Sequence, residues 1–193
     1  MRLNERSKLA AISIFLTTLV LILAGINIVL SLRLRAVTAR HETAPQDRML
    51  AVGTKMPPLI AKDSSGIVNR IPSESLTPTI VYVFTPRCTW CAKNLENLKA
   101  LARHTQRQYR WIGLSLSSHQ LAEYVQRNGI EFPIFSEPSE ETIRSYKLGG
   151  TPTTIVLAPD GRILRQWIGA YGARSGPELE RFFKLKLPGL SPS

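Results

Sequence analysis

Cysteine and histidine are scarce in this chain, and the scarcity removes several chemistries at once. There are 2 cysteines and 3 histidines in 193 residues. A closed zinc site takes about four ligands, and His41, His104 and His119 fall at no paired spacing, so a metal has little to hold it. Haem attachment needs a histidine directly after the second cysteine, where Ala92 stands. With 44% hydrophobic residues the chain can bury a core without disulfide staples. No nucleic-acid motif, internal repeat or low-complexity tract occurs. Acid is short as well, 14 Asp+Glu against 25 Lys+Arg, for a net charge of +11. The basic residues are scattered, which fits a solvated surface, part of it beside a membrane, better than a nucleic-acid face.

Charge is missing altogether from residues 9–32, "LAAISIFLTTLVLILAGINIVLSL". A bilayer core takes about 20 residues of helix, and this run is long enough. A buried core helix is rarely apolar all round. A cleaved signal peptide has an apolar core of roughly 7–15 residues, and the small-residue site Val37-Thr38-Ala39 lies well beyond this longer run. Gly25 is followed by Ile26 rather than cysteine, which excludes lipoprotein processing. The expectation is an uncleaved, single-pass transmembrane anchor in the lipid bilayer, with residues 1–8 in the cytoplasm. Arg2, Arg6 and Lys8 before it balance Arg33, Arg35 and Arg40 after it. Long following domains translocate largely regardless of flanking charge, so the rest of the chain is expected to face the periplasm or extracytoplasmic space. Residues 33–52 read as a linker, 53–187 as one globular domain and 188–193 as a tail.

Within that domain, short apolar runs flank the turn "KDSSG" and predict a hairpin. "TIVYVFT" is β-branched, aromatic and uncharged, the pattern of a buried central strand. Leu95, Leu98, Leu101 and Ala102 recur at helical spacing. "YRWIGLSLS" reads as a strand and "SHQLAEYVQRNG" as a helix stopped by Gly129. "SEETIRSYKLGG" reads as a helix capped by Ser139 and ended by glycine. "TTIVLAP", an Asp160-Gly161 turn and "RILRQWIG" form a hairpin. "GPELERFFKLKL" closes as a helix with Pro177 in its first turn. The order β-β-β-α-β-α-α-β-β-α implies an α/β fold, a mixed sheet flanked by helices on both faces.

The two cysteines, Cys88 and Cys91, sit in "FTPRCTWCAKN" where the central strand gives way to a helix. Unpaired N–H groups and the helix dipole favour negative charge there. A thiolate is the attacking species in disulfide exchange, so the position favours a reactive Cys88, with Arg87 adding positive potential. In exchange, Cys88 attacks a partner disulfide, and Cys91 resolves the mixed disulfide. A permanently closed disulfide would hold a very small loop and stabilise little. Zinc, a structural disulfide and redox exchange stand as readings of the pair, in rising order. Downstream, "GGTPTTIVL" places Thr151-Pro152 just before a strand. A proline there opens a strand or occupies a cis turn, and both stay open on the residues alone.

Taken in order, these motifs resemble the thioredoxin superfamily, and within it the membrane-anchored TlpA/ResA-type thiol-disulfide oxidoreductases (redoxin domains). The resemblance covers residues 53–185. "VGTKMPPLIAKDSSGIV" is similar to that family's opening hairpin, "VYVFTPRCTWC" to its active-site strand, and the stretch from "GIEFP" through "GTPTT" and "PDGRI" to its second half. It implies that Cys88 is the nucleophile and Cys91 the resolving thiol of a redox-active disulfide. It also implies that Pro152 is cis and that Thr151 offers backbone contacts to the bound partner; Pro152 and Trp90, the tryptophan between the cysteines, are further candidates for meeting that partner. No cofactor is expected. The implied partners are client protein disulfides or dithiols and a membrane dithiol electron carrier, with reduction of clients as the expected direction. The chain departs from the pattern where acids are usual: Tyr82 lies six residues before Cys88, and Asn94 three after Cys91. Glu96 lies two positions further along. Arg87 replaces a customary tryptophan. Thr85-x-x-Cys88 also overlaps the pattern of thiol peroxidases of the peroxiredoxin type, which would want proline where Val81 stands. A non-catalytic redoxin-fold assembly module is the third reading.

Overall fold

The computed structural model describes residues 15–31 and 49–189. The chain divides into two compact units, Met1–Asp47 and Arg48–Ser193. In the first, residues 15–31 form a helix (α1) with exposed apolar side chains such as Phe15, Leu21 and Ile28. The Asn27 amide donates back to the Leu23 carbonyl at 3.0 Å, so the polar side chain is satisfied within the helix. Among the described residues no helix is long and apolar enough to cross a membrane. Residues 9–14 and 32 of the expected anchor, residues 1–8, most of the linker (33–48) and the end of the tail (190–193) lie outside the described residues.

The second unit is built on a seven-stranded mixed sheet in the order β2-β1-β5-β4-β3-β6-β7. Its strands are β1 Leu59–Lys62, β2 Val68–Ile71, β3 Thr79–Phe84, β4 Arg110–Ser115, β5 Ile134–Ser136, β6 Thr153–Leu157 and β7 Ile163–Ile168. The helices are α2 Thr89–Lys93, α3 Leu95–Thr105, α4 Leu121–Asn128, α5 Glu140–Ser145 and α6 Gly176–Phe183. β3 runs parallel to β4 and antiparallel to β6, so it lies mid-sheet. All six of its residues are buried. Their side chains alternate between two cores: Val81 and Val83 pack with Leu59, Leu114 and Ile155 on one face. Ile80, Tyr82 and Phe84 pack with Cys91, Leu98 and Leu179 on the other. A strand buried on both faces needs apolar residues at every position, which is why "TIVYVF" shows no polar alternation.

Local chemistry shapes the turns. Asp63 accepts from the Ser65 and Ile67 N–H groups at 2.9 and 3.1 Å, and Gly66 takes a positive φ of 80°, closing the β1–β2 hairpin. Gly161, at φ 80°, turns β6 into β7. Gly129 ends α4 in the left-handed conformation, its N–H bonded to the Gln126 carbonyl and the Ile130 N–H to that of Val125. The Ser139 hydroxyl caps α5 by accepting from the Thr142 N–H at 3.2 Å.

The structure departs from the sequence reading in several places. A strand, β5, stands between α4 and α5 where none was expected, wedged between β1 and β4. It has only three residues, behind Pro133, too few for a period to show. The helix after the cysteines breaks at Asn94 into α2 and α3. α5 stops at Ser145, ended by Lys147 at φ 49° rather than by glycine. α4 starts only at Leu121, behind a left-handed Gln120 with no side-chain cap. Leu50, read as linker, is buried, and its N–H donates to Gln166 Oε1 at 2.6 Å.

Candidate active site

β3 delivers the chain to the end of the sheet where the strand's C-terminus lies, and a tight turn starts the helix there. The Cys88 N–H donates to the Thr85 carbonyl at 3.2 Å, and the Cys88 carbonyl accepts from the Ala92 N–H at 3.0 Å. Cys88 is the N-cap of α2, with extended backbone, and its sulfur accepts from the Cys91 N–H at 3.1 Å. Sulfur here takes the place a serine or aspartate oxygen holds in ordinary caps. Cys88 and Cys91 are paired as a disulfide, their Cα atoms 5.1 Å apart. The two sulfurs are unequal. Cys88 is half-buried, while Cys91 is 1% exposed and sits in the core beneath it. An incoming group reaches Cys88 first.

The other half of the site comes from the turn before β6. The Thr151–Pro152 peptide bond is cis. The Pro152 carbonyl accepts from the Gly169 N–H at 2.7 Å, and the Thr153 hydroxyl donates to the Gly150 carbonyl at 2.8 Å. Those bonds fix the turn so that the Thr151 carbonyl lies 3.5 Å from the Cys88 sulfur. Residues 63 positions apart thus meet at the disulfide. Pro152 itself is buried and Thr151 half-buried.

Arg87 is exposed in the turn. Trp90 is 55% exposed between the cysteines, with the Lys93 ammonium 5.1 Å from its ring centroid. Such a cation over a ring steadies the indole at the surface without burying it. The structure therefore gathers Arg87, Cys88, Trp90, Cys91, Thr151 and Pro152 at one end of the sheet.

Sequence reasoning named two members of the polar cluster behind the disulfide, Tyr82 and Asn94, only as departures from the family pattern, and passed over the rest. Asn94 is fully buried, and its Oδ1 accepts from the Tyr171 N–H at 3.0 Å and the Asn97 amide at 3.2 Å. Asn97, also buried, accepts from the Gly189 N–H at 3.0 Å. The Tyr171 hydroxyl bonds Thr154 Oγ1 at 2.6 Å. Burial pushes the Tyr82 and Tyr171 phenols well above their usual range, so neither is a base at neutral pH. Tyr171 and Thr154 carry no sequence signal, because their contacts with this cluster join distant segments. Tyr82 and Asn94 could be picked out only as replacements for expected acids.

A mixed sheet with a cysteine pair at the start of the helix after its central strand, facing a cis-proline turn, defines a thioredoxin-like α/β protein. The AhpC/TSA family pattern matches residues 52–166, and the chain belongs to that family. Over 104 residues it is 24% identical to the thiol-disulfide oxidoreductase ResA of Bacillus thuringiensis, covering 52% of this chain and 58% of the relative. The ResA of Bacillus anthracis matches to the same extent. The chain thus spans little more than half the length of these curated relatives. Among solved structures, StoA of Bacillus subtilis superposes with a TM-score of 0.52 at 20% identity, covering 67% of this chain and 98% of StoA. The thioredoxin domain of a thiol-disulfide oxidoreductase from Bacteroides vulgatus gives 0.58 at 18%, covering 70% and 99%. At these identities the superpositions speak to fold, and the fold is thioredoxin-like.

Proposed function

We propose that this chain is a thiol-disulfide oxidoreductase that exchanges electrons with partner proteins through Cys88 and Cys91. The unequal exposure of the two sulfurs carries the reading. Cys88 is reachable and receives an N–H that would stabilise its thiolate. Cys91 is sealed behind it, where only Cys88 can be attacked. In the reducing direction the Cys88 thiolate attacks a client disulfide, one client sulfur leaves as thiol, and Cys91 then displaces the other and closes Cys88–Cys91. Thr151 is half-buried beside Cys88, in the turn before β6, where its backbone would pair with an extended client segment, and the exposed Trp90 supplies an apolar surface near Cys88. A membrane dithiol carrier would return the electrons. Residues 9–32 anchor the chain in the bilayer with the domain outside the cytoplasm, where disulfides persist.

Cys91→Ala tests the exchange. The variant should accumulate DTT-sensitive mixed disulfides through Cys88 in cells, and their absence would sink the proposal. Peroxide consumption that needs Cys88 alone would favour a thiol peroxidase instead. Retained function in Cys88→Ser without either activity would leave a binding module. Anchoring has its own test: deleting residues 1–32 should abolish carbonate-resistant membrane association, and a C-terminal reporter should be active only outside the cytoplasm.

A further inference from the structure

Among the described residues no Asp, Glu, Lys, Arg or His is buried. The core around Cys91 therefore holds no charged side chain. It does hold unpaired donors. Four buried side-chain polar atoms lack a hydrogen-bond partner among the described residues, and two of them belong to Tyr82, which shares a core with Cys91, and to Asn94, three positions after it: Tyr82 Oη and Asn94 Nδ2. Asn94 lies three positions after Cys91, one helical turn on, where side chains share a face. Its orientation is settled by the Tyr171 N–H, which must meet an oxygen, so Nδ2 is the free end. Tyr82 projects from β3 into the same core as Cys91. The Asn94 amide faces the Tyr82 and Tyr171 hydroxyls closely enough to offset part of the effect of burial on both phenols, although neither contact reaches full hydrogen-bond geometry. The Trp167 indole N–H, also unpaired, belongs to a ring packed on Phe182 and Phe183.

Buried polar groups are nearly always paired, and an unpaired one calls for an explanation. Here both are donors in the region of Cys91, whose sulfur is a weaker acceptor in a disulfide than as a charged thiolate. We propose that Tyr82 Oη–H and Asn94 Nδ2–H are positioned to donate to the Cys91 thiolate, an acceptor that exists only when the pair is reduced. The inference rests on the oxidoreductase reading above. A partner dithiol supplies two electrons, the S–S bond breaks, and the partner becomes a disulfide. Its two protons are shared between Cys88, Cys91 and solvent. The Cys88 sulfur keeps its cap N–H; the Cys91 sulfur gains the two side-chain donors. The titratable groups in the core that holds Cys91 are Tyr82 from β3, Tyr124 from α4, Tyr171 from the loop after β7, the partly buried Tyr109 before β4 and Cys88 itself, with Lys93 half-buried and Arg87 exposed. The phenols stay protonated throughout the working range, so their role is donation. The oxidised form then carries the unmet donors and the reduced form relieves them, which makes the pair more oxidising.

The test uses the full chain in detergent, equilibrated with glutathione buffers. Tyr82→Phe removes one hydroxyl and little else. Asn94→Asp keeps an oxygen for the Tyr171 N–H and exchanges the amide donor for a carboxyl, so it is read at a pH where the carboxylate is charged and cannot donate. Each should disfavour the reduced form about tenfold, the size of a hydrogen bond to a charged group, moving the midpoint about 30 mV more negative. In a Cys88→Ser background, thiolate absorbance at 240 nm reports Cys91 alone. Adding Tyr82→Phe should lower the Cys91 thiolate about tenfold at a pH on its rising limb. An unchanged midpoint with equal loss or gain of thermal stability in both redox forms would overturn the inference and leave a structural role. If the wild-type pair never exchanges with glutathione, the oxidoreductase reading falls, and the Cys88→Ser titration still decides whether the donors serve Cys91.

Discussion

Thr142 offers a stability prediction whose magnitude follows from the structure. β1 meets β5 at a single register pair, Lys62 with Ser136, so the Ile60 peptide has no strand partner on that side. The start of α5 supplies one instead. The Ile60 N–H donates to Thr142 Oγ1 at 2.9 Å, and the Ile60 carbonyl accepts from the Ser139 N–H at 2.9 Å. Thr142 is 1% exposed, so water cannot replace its hydroxyl. Thr142→Val keeps the volume and strands the Ile60 N–H, a loss of about 1–3 kcal/mol. Thr142→Ser keeps the hydroxyl and removes a buried methyl, about 1 kcal/mol. Thr142→Ala does both, for about 2–4 kcal/mol, a large part of the 5–15 kcal/mol typical of a domain. Urea unfolding of the oxidised chain, with unchanged m-values, should rank the variants Ser, Val, Ala in order of increasing loss. If Val is as stable as wild type, or Ser is worse than Val, packing rather than the Ile60 hydrogen bond holds α5 to β1.

Glu137 gives a pH dependence. Hydrogen bonds from Lys62 and Ser118 hold its carboxyl below the usual glutamate range, with Lys62 Nζ 2.6 Å away. A depressed folded value contributes stability above the unfolded glutamate pKa of about 4.3, and the contribution is lost as pH falls through the folded value. Wild type should exceed Glu137→Gln in stability at neutral pH, and the gap should close in acid; a gap that widens in acid would contradict the assignment. Gly161→Ala forces a side chain into φ 80° with its Cβ 3.3 Å from the Ser73 carbonyl carbon and closer still to the Ser73 side chain. Left-handed backbone alone costs about 1–2 kcal/mol, so a thermal midpoint matching wild type would show that the β6–β7 turn relaxes freely.

The parts of this fold that were legible in the sequence are those decided locally. Six successive uncharged residues announce β3 because both of its faces are buried. Gly129, Gly161 and Ser139 announce their turns and cap because backbone conformation or a side-chain acceptor is needed at that residue. β5 was illegible because its existence depends on β1 and β4, which come from far away in the chain. Lys147 takes a left-handed conformation that its residue type does not advertise. The site divides in the same way. Cys88, Cys91, Thr151 and Pro152 stand out as motifs, and the structure brings them together. The cluster that lies behind them did not stand out, since the Asn94–Tyr171 bond spans 77 positions and its polar atoms look like ordinary surface residues in sequence.

The central claim is that Cys88 and Cys91 form an exchangeable pair, and a redox titration of the full chain tests it most directly. Trapped free thiols should rise and fall reversibly across glutathione buffers as one two-electron transition, with a midpoint between about −270 and −120 mV. A pair that stays closed at every poise, or opens only on unfolding, would contradict it and make the disulfide a structural one.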